Sequence, residues 1–196
     1  MNVKNLAAGT LLITGLAAMP VSSMAATAQS CVPGKATPES YTWDFKAEAS
    51  KLLDQIRVDA VKAHGQADLI KTYNLEPISW QGHAEELTAI KREINDMGGK
   101  LCRLEQIRRV LAPWQQQTID RIAPQVRLMA NSATDAISFL NLNEGNFWEP
   151  VYQKYTSNIA QDSGRVARSV TNFEEYAKAH SEEMHLQKSL GVKAGA

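Results

Sequence analysis

No alternation of apolar and polar residues persists long enough in this 196-residue chain to mark a strand, so a sheet-based fold is excluded from the outset. Charge of one sign is also missing: 21 Lys and Arg balance 21 Asp and Glu, which argues against a nucleic-acid binder or a polyacid. The two cysteines, Cys31 and Cys102, are too far apart for a CxxC redox motif, and no CxxCH haem-attachment site occurs. No G-x-S-x-G, P-loop or dinucleotide fingerprint is present, so the chain carries none of the compact signatures of nucleophilic or nucleotide chemistry. Proline is sparse, with seven residues, and past residue 40 only Pro124 interrupts a periodic stretch. Beyond residue 20 no apolar run approaches the roughly 20 residues that a bilayer-spanning helix needs.

The amino terminus carries the pattern of an export signal. Lys4 supplies the charged start, and Leu6 to Met19 is a short apolar run that Pro20 closes. At about 14 residues this run is too short for a membrane anchor. Ala26-Thr27-Ala28 matches the small-x-small cleavage pattern and predicts Gln29 as the new start. Cys31, just downstream, raises the alternative of a lipoprotein, but Ala28-Gln29-Ser30 is a poor lipidation context. A processed chain of 29–196 holds 20 basic and 21 acidic residues and is long enough for one domain with a real core. In an oxidising compartment the spacing predicts a disulfide between Cys31 and Cys102, the first lying on an extended arm able to fold back along the second helix.

What the sequence has in quantity is helical periodicity. Trp80, His83, Leu87, Ile90, Ile94, Met97, Leu101 and Leu104 recur at steps of three and four, the spacing of one face of a helix. Phe45, Ala49, Leu52, Ile56, Ala60, Ala63, Ala67, Ile70 and Tyr73 form an earlier stripe, introduced by Thr42 or Asp44 as a cap. A third stripe runs through Ile119, Ile122, Val126, Met129, Ala133, Ala136 and Leu140. The last comprises Tyr152, Tyr155, Ile159, Val166, Val170, Phe173, Ala177, His180 and Met184. Ser79 is placed to cap the second helix, expected over 80–111, and Asn146 with Glu149 has the spacing of a capping box before the fourth. Gly98-Gly99 within the second helix costs about 2 kcal/mol of propensity and allows a close helix approach or a kink.

Pro77 marks one turn and Asn141–Asn146 another, while Pro113 and a change of stripe phase predict a reversal near 111–115. Pro124 should kink the third helix or mark its true start. The expected fold is all-α: an elongated, coiled-coil-like up-down antiparallel bundle of four long helices, or three if Pro113 only kinks. The expected organisation is a signal peptide over 1–28, an extended arm over 29–41, the bundle over 42–187 and a tail over 188–196.

Candidate sites are few. His83 and His180 lie on apolar stripes, as bundle ligands would, but at opposite poles roughly 30 Å apart. His64 is nearer to His83, still on the order of 10 Å away along the axis. Glu182 and His185 form a single E-x-x-H pair, where a di-iron bundle needs two. Met97, Met129 and Met184 read as core rather than as haem ligands, and no cofactor or metal is expected. The best interaction candidate is the stretch 100–127, where Lys100, Arg103, Arg108, Arg109, Arg121 and Arg127 face only Glu105 and Asp120. Gathered at the Pro113 turn beside Trp114, they would make a basic pole suited to an anionic surface, with Arg103, Arg108, Arg109 and Trp114 in contact. Tyr41, Trp43 and Trp114 could instead close the bundle as an aromatic cap.

The run LCRLEQIRRVLAPWQQQTIDRIAP resembles segments of uncharacterised exported helical proteins of bacteria, a resemblance that covers the middle of the chain and implies no activity. Small periplasmic helical chaperones carry L-T-x-x-Q repeats. Here Leu87-Thr88 is followed by Ala89-Ile90-Lys91 without the glutamine, and that function is not carried over. The expectation is therefore a periplasmic or secreted, non-enzymatic bundle with an interaction or scaffolding role toward an unknown protein or anionic envelope component. It would have no nucleic-acid partner and no transmembrane segment after signal cleavage. The alternatives are a metal- or haem-binding bundle, or an enzyme whose site assembles only in space.

Overall fold

A computed structural model describes residues 44–73, 80–143, 146 and 148–191. Four helices are described: α1 (Phe45–Tyr73), α2 (Trp80–Ile107), α3 (Pro113–Leu142) and α4 (Pro150–Leu190), with one 3₁₀ turn over Arg108–Val110. Each helix packs on its two neighbours in a closed ring, α1 on α2 and α4, and α3 on α2 and α4. Cross-helix contacts fix the directions. Going up α1, Glu48, Asp59 and Lys62 meet Arg103, Lys100 and Glu93 going down α2. His64 meets Ala160 across α1 and α4, and Phe139 stacks on Tyr152 across α3 and α4. The bundle is thus up-down-up-down, and the three-helix alternative does not occur. No described helix is long and apolar enough to cross a membrane.

The core follows the stripes. On α1 the fully enclosed residues are Ala49, Leu53, Ile56, Ala60, Ala63, Ala67 and Ile70, at strict four-three spacing. Leu53, not the expected Leu52, takes the core position, and Leu52 is half-buried at the seam. On α3 every expected stripe residue is buried, joined by Gln115, Thr118 and Ser132. On α2 the buried stripe begins at His83, and Trp80 is 37% exposed because it occupies the first turn, above the layer that α1 and α4 cover. On α4 burial stops at Val170. Met184, expected in the core, is 53% exposed, and His180 is exposed too. The reason is length: α4 has 41 residues where its neighbours have 28 to 30, so its last turns run past anything that could cover them.

The ends obey local chemistry. The Asp44 carboxylate accepts from the N–H groups of Lys46 and Ala47, both at 3.0 Å, and caps α1. Pro113 starts α3 rather than bending a longer α2, since a proline at the first helical position gives up a donor that has no partner there. α2 ends at Ile107, short of the expected 111, and tightens into the 3₁₀ turn closed by Leu111 N–H donating to the Arg108 carbonyl at 3.1 Å. The Gln115 side-chain oxygen accepts from Ala112 N–H, while its amide donates to the Lys46 carbonyl at 2.8 Å and the Ser50 hydroxyl at 3.0 Å. One buried glutamine so pins the α2–α3 reversal to the start of α1. Pro124 lies inside α3 and does not mark its start. The expected cap from Asn146 is displaced: α4 begins at Pro150 behind Glu149, and the Asn146 carbonyl instead accepts from Glu149 N–H in the preceding turn. Helix α4 also runs through the expected tail boundary at 188 to Leu190, where Gly191 at φ 66° closes it. Gly98 and Gly99 sit in an unbroken α2, and a β-carbon on either would meet nothing within 4 Å, so they serve no close approach.

Candidate functional site

Of the residues from which the sequence suggests a basic pole, Arg103, Arg108, Arg109 and Trp114 lie at the α2–α3 reversal, where Arg103 and Arg108 are already matched, whereas Lys100 sits further along α2 opposite Asp59 and Arg121 and Arg127 lie about two and four turns into α3. Arg103 reaches across to α1 and donates from Nε to Glu48 Oε1 at 2.7 Å and from Nη2 to Glu48 Oε2 at 3.2 Å. Arg108 donates to both oxygens of Asp120, at 2.8 and 2.7 Å, and to Glu105 at 3.3 Å. These hydrogen bonds hold both guanidinium groups further toward the charged form than usual. Lys100 donates to Asp59 at 2.6 Å, a pair in which both side chains are largely covered. Arg109 is exposed and makes no ion pair among the described residues. Trp114 is half-buried against the core. Three of the cations in the 100–109 stretch therefore act as struts that set helix register, the role in which paired charges are most specific.

The histidines separate. His83 is fully buried, its Nδ1 3.1 Å from the Tyr152 hydroxyl, with Tyr73 edge-on at 5.9 Å and Phe139 stacked behind Tyr152 at 5.7 Å. Burial lowers the His83 pKa and pushes the Tyr152 phenol up, so both groups are neutral at pH 7. This cluster joins α1, α2, α3 and α4 at the pole away from Pro113. It is sealed, and it can order an end of the bundle more readily than reach a substrate. His180 lies 28 residues beyond Tyr152 on α4, about 42 Å along the helix, so His83 and His180 cannot share an ion. His180 stacks on Tyr176 in the exposed part of α4 and lies 3.9 Å from Glu183. His64 Nδ1 donates to the Ala160 carbonyl at 2.8 Å and its Nε2 faces Asp68 at 3.3 Å. Glu182 and His185 are exposed on α4. Among the described residues no three His, Cys, Asp or Glu side chains are grouped to hold a metal ion.

Cys102 is half-buried on α2, and its expected partner Cys31 lies outside the described residues, as do Tyr41, Trp43, Ser79 and the expected export signal. Two features escaped the sequence reading. One is the set of buried acids, Asp59, Glu93 and Asp162, each of which looks like a solvent-facing residue until its cross-helix or same-helix cation is known. The other is the stretch of α4 after Val170. It runs for 20 residues, about 30 Å, with no buried side chain and with Tyr176, Met184, Leu186 and Leu190 between 53 and 72% exposed. The excess length of the fourth stripe over the other three was the signal that could have found it. Comparison of the chain with protein-family models, curated proteins and solved structures finds no match.

Proposed function

We propose that this protein is an exported, non-enzymatic helical scaffold of the cell envelope that holds a protein partner on the projecting end of α4. The observation that carries this reading is the excess length of α4, 41 residues against 28 to 30 in its neighbours, which carries its last turns with Met184, Leu186 and Leu190 past them. A projecting helix end is marginal in water and draws its stability from what it packs against. Exposed tyrosine, methionine and leucine on such an extension are the side chains that a partner's apolar groove would cover. The α2–α3 reversal lies toward the same pole, so Arg109 and Trp114 are available to contact an anionic component, while Arg103 and Arg108 keep the pole rigid. Periplasmic placement rests on the Lys4, Leu6–Met19 and Ala26-Thr27-Ala28 pattern, and with it the Cys31–Cys102 disulfide. Closing a loop of about 70 residues would stabilise the fold by roughly 4 kcal/mol on the chain-entropy view.

A photo-crosslinker at Met184 tests the reading, with the equally exposed Leu128 on α3 as the control position. In intact envelopes Met184 should give one discrete adduct that Leu128 does not, and Tyr176→Glu, two turns back toward the same side of α4, should abolish it. No adduct, or the same adducts from both positions, refutes the docking role. Mass spectrometry of the non-reduced processed protein should begin at Gln29 and join Cys31 to Cys102. An intact amino terminus or two alkylatable thiols would refute the export and disulfide readings respectively.

A further inference from the structure

Between α3 and α4, on the outer wall of the bundle, runs a groove of about 430 Å³ lined by Arg121, Gln125, Arg165, Arg168, Ser169 and Asn172. Its composition follows from helical register. Arg121 and Gln125 are four apart on α3, and Arg165, Arg168, Ser169 and Asn172 fall at three- and four-residue steps on α4. Three arginines therefore line one groove, together with two amides and a hydroxyl and with no apolar or acidic side chain in the lining. Elsewhere on the bundle Arg57, Lys71, Lys100, Arg103 and Arg108 each pair with a carboxylate. At this groove Arg165 reaches Asp162 at 3.4 Å, and Arg121 and Arg168 make no ion pair among the described residues. Asp162 is itself nearly covered, at 7% exposure, so it offsets one of three positive charges from below and leaves about two facing outward.

Like charges gathered along one seam repel, and an anion that bridges them turns that repulsion into attraction. A β-carbon at Gly164 would stand 3.2 Å from Arg168 Nη1 and 3.7 Å from the His64 ring, so the absence of a side chain lets this end of Arg168 lie back over α4, where it borders both the groove and the hollow beside His64 and Lys71. We propose that this groove is a binding site for a phosphate group, held by the guanidinium forks of Arg121, Arg165 and Arg168 with Ser169 and Asn172 as neutral donors. A phosphate or phosphomonoester, with a charge of about −1.5 to −2 near neutral pH, matches the uncompensated charge of the seam. Paired N–H donors of arginine fit its oxygens better than a lysine ammonium would. The phosphate group could be free or belong to an anionic lipid headgroup, and the two sources are separable.

The test uses the processed chain at low ionic strength, where such contacts are least screened. Inorganic phosphate is titrated calorimetrically, and flotation is measured with phosphatidic acid vesicles, whose headgroup is a phosphomonoester, against phosphatidylcholine vesicles. Saturable one-to-one binding of inorganic phosphate assigns a soluble phosphate. Flotation with phosphatidic acid alone, without such binding, assigns the headgroup. In either case Arg121→Gln/Arg168→Gln should weaken binding at least tenfold with an unchanged helical circular-dichroism spectrum. Arg121→Lys/Arg168→Lys, which keeps the charge and removes the forks, should weaken it severalfold and guards against a folding defect in the first variant. Absence of binding to both probes overturns the proposal. So does a glutamine variant that binds as tightly as the native chain, or an equal loss on Arg109→Gln at the distant reversal.

Discussion

Replacing Gly98 and Gly99 by alanine should stabilise the protein, and the size of the gain can be worked out in advance. Both residues are inside α2, one half-buried and one exposed, and a β-carbon on either meets no atom within 4 Å. The substitution therefore adds no clash and removes no contact. What remains is the helix-interior cost of glycine relative to alanine, about 1 kcal/mol each and about 2 kcal/mol for the pair. Much of this arises in the unfolded chain, where glycine has more conformations to lose. For a domain of this size, 1 kcal/mol corresponds to about 2–4 °C, so Gly98→Ala/Gly99→Ala should raise Tm by about 4–8 °C. In urea the midpoint should rise by about 1 M with m unchanged, taking m near 2 kcal/mol/M. Gly164→Ala is the control: its β-carbon would crowd Arg168 Nη1 at 3.2 Å and touch the His64 ring at 3.7 Å, so its gain should be smaller. A loss of stability in the double variant, or a gain no larger than that of Gly164→Ala, would refute the reasoning. It would mean that α2 bends or is approached at the glycine pair.

Two further outcomes follow from buried polar groups. Burial lowers the His83 pKa, so on acidification the unfolded chain takes up the proton first, and stability falls as pH drops from about 6.5 toward the folded value. The slope should reach at most about 1.4 kcal/mol per pH unit and vanish in His83→Gln, compared by urea titration between about pH 5 and 8. Asp162 and Glu174, whose pKa values burial raises, act with the opposite sign and over the lower carboxylate range, so the difference between the two proteins isolates His83. Parallel profiles would refute the assignment. Gln115→Ala removes an acceptor for Ala112 N–H and donors to Lys46 and Ser50, and should cost about 1–3 kcal/mol in chemical denaturation. A cost below about 0.5 kcal/mol would show that the reversal holds without it.

Much of the architecture was legible because burial in a bundle is written locally. Every residue of the third stripe, Ile119 to Leu140, is buried on α3, since each of those side chains has a neighbour helix on that face. The same rule overreached on α4. His180 and Met184 keep the period of a core face, but periodicity states only which side of a helix is apolar, and whether anything packs there depends on how far the other helices extend. Trp80 failed for the same reason at the opposite end of the bundle. The basic stretch was visible as composition, whereas its pairing was not. Arg103 and Glu48 are 55 residues apart, and Lys100 and Asp59 are 41, so no local window contains both members. Nor does the sequence bring Arg121 together with Arg165 and Arg168, which meet only because α4 returns antiparallel along α3.

The sequence by itself determined that the described part of this protein is a bundle of helices, where the second reverses into the third, and which side of each helix is apolar. Those are consequences of side-chain period and of proline and cap chemistry acting within a few residues. The tertiary structure decided which charges are spent on one another, which histidine is sealed away, and that one helix outruns its partners. Each of these depends on distances between residues far apart in the chain, and such distances exist only once the four helices have been laid side by side.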